Sequence, residues 1–482
     1  MMKRFFGILF TLLPLLSVCC CTSKPEPEEA APELVSTSPE NGAGGLTALY
    51  MDVVFTYDQV ITCQEEAKKG VTVDGGAVVE KVDANGRNLT VSVSGLSRGK
   101  TYTVRLPEGL VQGYKKNQKA SAAASLSFTL KESNQGVVPP EGWENASSAV
   151  LHMGTGWNLG NTLDANDASW KGRSVSQFET GWGQPVTKPE LFKMFADEGF
   201  GAIRVPVTWD LHMADDYTVD EAWMSRVEEV VNYVLDAGMY CVLNVHHDTG
   251  ENGWLRADEK VYNETRDRFI ALWRQIATRF KDYGPKLLFE SFNEMLDANN
   301  RWNAPASADS YVYINKYNQD FVTTVRATGG NNSYRNLVVN DYCASSMADA
   351  FEALEIPEDS VEGRLIAEFH SYSPYNFAMN ETSSAIQTWT DACEKEVKDQ
   401  INSIATIARK KGVPAIIGEY GATAKRAAEE IAKQATCYVK TCKENNMACF
   451  YWMLLSDAKD RDVPTWSMPV VKDAILKAYK GN

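Results

Sequence analysis

The sequence has 482 residues, of which 44% are hydrophobic and 23% are charged, and its net charge of −15 gives a pI near 5.0. These proportions are those of a folded globular protein, and the length suits two or three domains. The acidic excess argues against binding to nucleic acid or to an anionic membrane surface, because both attract basic proteins. We therefore expect no nucleic-acid partner.

The first 21 residues predict an export signal. Lys3 and Arg4 precede an apolar run at residues 5–16, which is too short to span a bilayer and is typical of a signal peptide. Cys19 and two further cysteines follow, and this stretch resembles a bacterial lipoprotein cleavage site. The resemblance implies lipidation of Cys19, with the next two cysteines as alternatives, and export to the outer membrane or cell surface. Membrane contact is then expected through the lipid anchor alone; plain secretion is the alternative.

The remaining seven cysteines give no sign of a metal site or of a disulfide framework. Their number is odd, and no pair among them has the C-x-x-C spacing. We expect buried free thiols, with at most one or two disulfide bridges, and no metal. The seven residues are Cys63, Cys241, Cys343, Cys393, Cys437, Cys442 and Cys449.

Residues 33–131 predict a small β domain, preceded by an acidic, proline-rich tether at 22–32 and followed by a linker at 132–148. Short alternating or β-branched runs are separated by turns that contain glycine and asparagine, which indicates a β-sandwich. The segment resembles the bacterial Ig-like modules found ahead of many secreted enzymes. Because it has no obvious aromatic platform, a spacer is favoured over a sugar-binding module. The predicted strands are 50–57, 71–73, 78–82, 89–93, 101–106 and 125–130.

From residue 149 to residue 482 strands alternate with helices, which predicts a (β/α)8 TIM barrel. One helix is expected to open with a capping box formed by Thr187 and Glu190 and to end at Gly199. A doubly wound open sheet is the alternative, but no glycine-rich phosphate loop follows the first strand. The eight predicted strands are 154–160, 201–207, 240–247, 287–294, 336–340, 364–372, 414–421 and 449–454.

If these strands form a barrel, the residues at their C-terminal ends share one pocket. Two of them are the carboxylic acids Glu294 and Glu419, each at the end of an apolar run, and such a pair suits acid/base and nucleophile roles in cleaving a glycosidic bond. An ion-paired or solvated glutamate is the alternative for either one alone. Three of the five histidines of the chain also lie at these ends. The set is Asn161, Arg204, His246, His247, Asn293, Glu294, His370, Tyr372, Glu419 and Trp452.

Six short motifs occur in order at these ends: Gly-Trp-Asn-Leu-Gly-Asn at 156–161, Ile-Arg-Val-Pro at 203–206, Val-His-His at 245–247, Asn-Glu at 293–294, His-Ser-Tyr at 370–372 and Gly-Glu-Tyr-Gly at 418–421. Together they closely resemble glycoside hydrolase family 5, the cellulase family, over residues 150–480. The chain departs from that family at Met295, where a proline usually follows the acid/base glutamate. Proline would fix φ at this turn, so the departure leaves the local loop geometry open.

The resemblance implies a role for the polar residues. Glu294 matches the general acid/base, and Glu419 matches the nucleophile that forms a glycosyl-enzyme intermediate. Arg204 matches the arginine beside the nucleophile, where a fixed cation holds the carboxylate ionised. Tyr372 matches a hydroxyl that positions the nucleophile, and His370 matches a partner of the acid/base.

The resemblance also implies substrate contacts. Asn293 matches the residue that bonds the sugar 2-OH, and Trp452 matches the aromatic floor under the reacting sugar. Because adjacent strand residues point to opposite faces, one of His246 and His247 is expected to face the pocket and the other to pack behind it, rather than both binding a metal.

Three tryptophans elsewhere have two interpretations each. Trp182 and Trp254 are candidate sugar platforms or exposed structural aromatics, and Trp157 is a pocket wall or a core residue.

The predicted function is that of a retaining endo-β-1,4-glycanase of the endoglucanase, xyloglucanase or mixed-linkage glucanase type. Its partner is a β-glucan polysaccharide or oligosaccharide, it needs no cofactor because two carboxyl groups suffice, and a monomer is expected. The alternatives are a β-mannan hydrolase of the same family and a non-catalytic surface protein that binds glycans.

Overall fold

The computed structural model describes two folded regions, an all-β region and an α/β barrel, each with its own hydrophobic core. The predicted signal peptide, the lipidation site Cys19 and most of the tether lie outside the described residues. Among the residues that are described, no helix has the length and apolar character needed to cross a membrane. The structure describes residues 30–46, 51–114, 118–131, 138–452, 455 and 457–481.

The N-terminal region is a β-sandwich. Its elements are β1 (Leu34–Ser38), β2 (Ala43–Leu46), β3 (Met51–Tyr57), β4 (Ile61–Cys63), the helical turn α1 (Glu65–Lys68), β5 (Thr72–Val73), β6 (Val78–Asn85), β7 (Asn88–Ser94), β8 (Thr101–Leu106), β9 (Val111–Gly113) and β10 (Ala124–Leu130). One sheet has the order β1-β3-β7-β6 and the other β2-β10-β8-β5, while β4 pairs with β9. Phe55 and Val91 from the first sheet pack with Tyr102 and Phe128 from the second in one buried core. The predicted all-β fold is confirmed.

All six predicted strands of the sandwich are present, with ends displaced by at most three residues. Four others were not predicted, for two reasons. β1 and β2 lie at the outer edges of their sheets with largely exposed side chains, so they show no alternation of apolar and polar residues. β4 and β9 are only three residues long each.

The second region is a closed barrel of eight parallel strands. These are β11 (Thr155–Asn158), β12 (Ala202–Val205), β13 (Tyr240–Leu243), β14 (Leu287–Glu290), β15 (Leu337–Asn340), β16 (Leu365–Ser371), β17 (Ala415–Tyr420) and β18 (Ala448–Tyr451). Each strand pairs with the next along the chain, and β18 pairs back with β11 through the register Thr155↔Cys449. This closure confirms the TIM barrel and excludes the open sheet. Every strand residue is buried, as expected for parallel strands covered by helices.

Helices surround the barrel. They are α2 (Ala146–Met153), α3 (Val175–Glu179), α4 (Pro189–Glu198), α5 (Glu221–Asp236), α6 (Glu259–Arg279), α7 (Asp309–Ala327), α8 (Ala348–Ala353), α9 (Tyr375–Ala378), α10 (Asp391–Lys411), α11 (Ala428–Glu444), α12 (Ala458–Asp462) and α13 (Pro469–Lys480). On the longer ones one face is apolar and buried, and Trp223, Val227 and Val231 of α5 are an example.

The capping box predicted at the start of α4 is wrong. The helix begins one residue after Lys188, and no side chain caps it. The backbone N–H of Thr187 donates to Glu179 Oε1 at 2.7 Å instead, so Thr187 is held as part of the preceding loop. The predicted end is confirmed, because Gly199 closes the helix in the left-handed region with φ of 105°.

The seven cysteines beyond the predicted signal are all free thiols, as expected. Six of them are buried and Cys63 is half-buried.

The inside of the barrel has an apolar layer below a polar one. The apolar layer is closed at the N-terminal end by α2 and consists of Ala202, Val242, Leu288, Val338, Ile366, Ile416, Ala448 and Phe450. Since side chains alternate along a strand, residues two positions further on also point inward. Those residues include Arg204, Asn244, Glu290, Asn340 and Glu368, all of them fully buried. The polar layer lies just beneath the C-terminal mouth, where barrel proteins place their active sites.

Candidate active site

Arg204 is the centre of the polar layer, and all five of its N–H groups are used. Nε and Nη2 form a bidentate pair with Glu290 at 2.7 and 2.8 Å. Nη1 donates to Glu419 Oε1 at 2.8 Å and to Asn158 Oδ1 at 3.0 Å, and Nη2 donates to Asn293 Oδ1 at 2.8 Å. A guanidinium group satisfied in this way has one orientation, so it is a fixed positive charge beside Glu419.

Glu419 lies near the end of β17 with a side chain that is 7% exposed. Its Oε1 accepts the hydrogen bond from Arg204, and its Oε2 accepts one from the Tyr372 hydroxyl at 2.8 Å. Burial, followed by the carboxylates of Glu419 and Glu294, raises the pKa of Tyr372 well above its usual range, so the phenol stays a donor. Both oxygens of the carboxylate are therefore held in place.

Glu294 lies in the loop after β14 and is the more exposed of the two acids, at 22%. Its Oε1 is 2.8 Å from His370 Nδ1. The backbone of this loop is anchored on both sides, since Gly250 donates to the Glu294 carbonyl at 3.0 Å and Cys343 donates to the Met295 carbonyl at 3.1 Å. Met295 itself is fully buried, so here packing and hydrogen bonds hold the turn where the family has proline.

His370 joins the two acids. One atom each of Glu294, His370 and Glu419 lie within 4.8 Å of one another, and His370 Nδ1 is 3.7 Å from Glu419 Oε2. Burial alone would lower the pKa of His370, but the carboxylates of Glu419, Glu294 and Glu368 outweigh it and raise that pKa to about 10. The ring is therefore an imidazolium over the usual working range, and it lies between the two acids.

The histidine pair does not alternate as expected. β13 ends at Leu243, so His246 and His247 both lie in the loop beyond it, and their rings are 4.5 Å apart. His246 is buried and stacks on Trp452, with ring centroids 5.8 Å apart and planes 6° from parallel. His247 is 37% exposed and packs edge-on against Trp182. Four aromatic rings thus form a continuous row from Trp452 to Trp182.

A metal at this pair would need Asp164, whose carboxylate lies within 4.8 Å of one nitrogen of each histidine. Asp164 already accepts the backbone N–H groups of Asn161 and Thr162 at 3.0 and 2.7 Å. Binding an ion would require some of these hydrogen bonds to be given up. The expectation that no metal is bound stays a prediction.

The remaining predicted residues lie around the same mouth. Asn293 is buried and held by Arg204, and Trp452 is half-buried against His246. Gly160 allows this position of Trp452, because a Cβ there would lie 2.6 Å from the indole. Asn161 is half-buried in the left-handed region with φ of 61°, and it contacts Asp164 through its backbone.

The tryptophans separate into core and surface residues. Trp157 is fully buried and stacks on Phe195 at 4.5 Å, so it belongs to the core. Trp182 is 39% exposed. Trp254 is half-buried, donates to Asp248 at 2.7 Å and carries the guanidinium of Arg268 on one face at 4.2 Å, which leaves it less suited to stack on a sugar.

Several site residues were missed by the sequence analysis. Asn158, Asn244, Glu290 and Glu368 all contact Arg204, one another or His370 from within the strands or directly after them. The signal that could have found the two glutamates is a charged residue inside an otherwise apolar run, two or four positions before a motif residue. Trp302, 45% exposed and bonded through its indole N–H to Glu251 at 2.9 Å, was also missed.

A parallel barrel with two carboxyl groups at its C-terminal mouth, a fixed arginine beside one of them and an aromatic ring at the floor defines a barrel glycosidase. Residues 163–458 match the family described as cellulase, glycosyl hydrolase family 5, and residues 28–130 match a bacterial Ig-like domain. The chain belongs to glycosyl hydrolase family 5 and carries an Ig-like domain ahead of the enzyme.

Known relatives agree. Endoglucanase A of Clostridium longisporum is 34% identical over 350 residues, which cover 70% of this chain and 66% of that protein, about two thirds of its length. A family 5 enzyme from Prevotella bryantii B14, solved with a xyloglucan tetradecasaccharide, is 42% identical with a TM-score of 0.66 and covers 70% of this chain and 99% of its own. A family 5 lichenase from Caldicellulosiruptor sp. F32, solved with cellotetraose, is 29% identical with a TM-score of 0.65 and covers 72% of this chain and 98% of its own.

Proposed function

We propose that this protein is a retaining endo-β-1,4-glycanase that hydrolyses β-glucans. The observation that carries the proposal is the closeness of the two acids, since atoms of Glu294 and Glu419 lie within 4.8 Å of each other. Retaining glycosidases hold their carboxyl groups about 5–5.5 Å apart, whereas inverting enzymes leave about 6.5–9.5 Å for a water molecule.

The first step assigns one role to each acid. Glu294 donates its proton to the glycosidic oxygen while Glu419 attacks the anomeric carbon, which breaks the glycosidic bond and forms a glycosyl-enzyme ester. Arg204 and Tyr372 hold both oxygens of Glu419, so the nucleophile is aimed before substrate arrives. The aglycone leaves with the proton of Glu294.

In the second step Glu294, now ionised, removes a proton from water, and the hydroxide attacks the same carbon and releases Glu419. Two inversions at the anomeric carbon give net retention. The two carboxyl groups suffice for this chemistry, so no cofactor is part of the proposal, and a single chain supplies the whole site.

A β-glucan is the proposed substrate because the relatives were solved with xyloglucan and cellotetraose. The exposed Trp182 and the half-buried Trp452, at the two ends of the row of rings, offer flat faces on which glucose units can stack. Initial rates on carboxymethyl-cellulose, xyloglucan, barley β-glucan and glucomannan test the choice of backbone. A clear preference for a mannan-rich polymer would replace the β-glucan assignment by the β-mannan alternative.

The nucleophile is tested with Glu419→Ala. We expect turnover to be lost and added azide to restore it, with a product of inverted anomeric configuration, because azide occupies the space of the missing carboxylate. An intact variant that azide does not rescue would count against Glu419 as the nucleophile. Binding of cello-oligosaccharide by the unmodified protein without any cleavage would favour the non-catalytic alternative.

We also propose that the protein is exported and anchored to the outer membrane or cell surface through Cys19. The support is the basic start and apolar run ahead of this cysteine. Detergent-phase partitioning and the mass of the N-terminal peptide from the native host test it, with Cys19→Ala compared with Cys20→Ala. If the lipid mass is lost in Cys20→Ala alone, the lipidated residue is Cys20 and not Cys19.

A further inference from the structure

Glu368 is a buried acid for which the proposed mechanism has no role. It lies on β16 two residues before His370, so both side chains point into the barrel. Its Oε1 is 3.2 Å from His370 Nε2 and 3.4 Å from Arg204 Nε, and its side chain is 0% exposed. Its second oxygen, Oε2, has no hydrogen-bond partner among the described residues.

The neighbouring strand is built to admit this carboxyl group. A Cβ at Gly418 would lie 1.7 Å from Glu368 Oε1, so only glycine fits there. The register between β16 and β17 shifts at the same place, because Phe369 pairs with Ile417 while His370 pairs with Glu419. Such an irregularity re-aims the next side chain. One local feature thus makes room for Glu368 and turns Glu419 toward the mouth.

Each ring nitrogen of His370 faces a carboxyl group. Nδ1 faces Glu294 at 2.8 Å and Nε2 faces Glu368 at 3.2 Å. A neutral imidazole carries one N–H and could donate to only one of them, whereas an imidazolium donates to both. This arrangement therefore favours the doubly protonated ring.

We propose that Glu368 is a positioning residue that keeps the proton on His370 Nε2, so that the ring remains an imidazolium that donates from Nδ1 to Glu294. The inference rests on the proposed role of Glu294 as acid/base. When Glu294 gives its proton to the leaving group, the new carboxylate lies 2.8 Å from a cation that is already in place. No proton moves between Glu368 and His370 in this step, since both ring protons stay on nitrogen.

The surroundings are consistent with this role. Burial, followed by Glu290, raises the pKa of Glu368 to about 7, while Arg204 and His370 oppose that rise. When Glu368 takes up a proton, the free Oε2 can carry it, and Oε1 goes on accepting from His370. The charged and titratable groups that face the pair from the surrounding elements are Glu290, Glu294, Glu419, Arg204, His246, Asp341 and Tyr372.

The test is Glu368→Gln in the full chain, because glutamine keeps the Oε1 acceptor and removes the charge. Without that charge His370 releases its Nε2 proton at lower pH. We expect the pH at which His370 loses this proton to fall by about one unit or more, the size that a single opposite charge at this distance produces. KM on a soluble β-glucan should change little, because an interaction made only in the transition state affects kcat and kcat/KM together.

A spectroscopic readout separates this role from a merely structural one. In protein labelled with ¹⁵N-histidine, the Nε2–H signal of His370, assigned through its loss in His370→Asn, should vanish at lower pH in Glu368→Gln than in the unmodified protein. Glu290→Gln is the matched control, since Glu290 is equally buried and binds Arg204 and Asn244 instead. In that control the Nε2–H signal should persist.

The proposal is overturned if His370 loses its Nε2 proton at the same pH in folded Glu368→Gln as in the unmodified protein. It is also overturned if Glu290→Gln moves the signal equally. Glu368→Leu, which removes the acceptor as well, should give a larger shift. Failure here is distinct from failure of the proposed function, because azide rescue of Glu419→Ala does not depend on Glu368.

Discussion

Arg204 and Glu419 form a 2.8 Å ion pair in which the arginine is fully buried and the carboxylate keeps a 7% exposed edge toward the mouth of the barrel. The arginine has no freedom to follow its partner, because Glu290, Asn158 and Asn293 occupy its other N–H groups. The nucleophile candidate is thus attached to a rigid cation rather than to a flexible one.

Arg204→Lys should lower kcat by about 100-fold or more, because an ammonium group cannot reproduce the five N–H donors of the planar guanidinium group. Steady-state kinetics with a soluble β-glucan measures the effect. Arg266→Lys, at the half-exposed pair with Asp320, is the control and should leave kcat unchanged.

Tyr372→Phe should lower kcat on the order of 10- to 100-fold with little change in KM, because Glu419 loses one of the two hydrogen bonds that aim it. The phenol donates at every working pH, since its pKa is raised far above the usual range by burial and by the nearby carboxylates of Glu419 and Glu294. Steady-state kinetics with a soluble polymer measures the effect. Tyr233→Phe, whose exposed hydroxyl bonds Glu229, is the matched control. Equal kinetics in the two variants would contradict the positioning role.

His212 should make the barrel less stable in mild acid. It is buried and stacked on Trp223 at 3.6 Å, and burial lowers its pKa to about 4 from the ordinary 6.5. Between these values the unfolded chain binds a proton that the folded chain refuses, so stability falls as the pH drops. The contribution is about 2 kcal/mol of stability lost between pH 7 and pH 5.

His212→Phe should remove most of that loss, because phenylalanine stacks in the same place without titrating. Urea unfolding at pH 7 and pH 5, followed by tryptophan fluorescence, measures it; all 12 tryptophans lie after residue 140 and so report on the barrel region. His152→Gln is the control, since the His152 side chain is 65% exposed. If both variants keep the original pH dependence, His212 is not its source.

The sequence was sufficient to predict the eight strands and the residues at their ends, because buried parallel strands appear as apolar runs and their polar ends are easily located. The sequence was not sufficient to predict the polar layer that lies beneath these strand ends. The hydrogen-bond partners of Arg204 are separated from it by 46 to 215 positions in the sequence. Only closure of the barrel places them together. Glu290 and Glu368 therefore had no visible partner in the sequence.

Local backbone geometry was the second feature that could not be predicted from the sequence. Alternation along a strand was applied to His246 and His247, but β13 stops at Leu243, and strand ends are the least certain part of any prediction. The register shift beside Gly418 could not be predicted either, since it lies where the carboxyl group of Glu368 approaches from the neighbouring strand β16. Both misses concern residues beside the catalytic candidates.

Trp182 should act as a remote platform for the glycan chain. Its ring packs on His247, which packs on His246, which stacks on Trp452, so the row extends the pocket floor outward to a residue that is 39% exposed. Trp182→Ala should raise KM for cello-oligosaccharides of four or more units by about tenfold, equivalent to about 1.4 kcal/mol of lost stacking. kcat on an aryl β-cellobioside, which is too short to reach it, should stay the same. Trp254→Ala is the control: Arg268 already covers one face of that ring, so KM for the long substrates should change less. A larger effect in Trp254→Ala would mean that the glycan chain leaves the pocket on the other side.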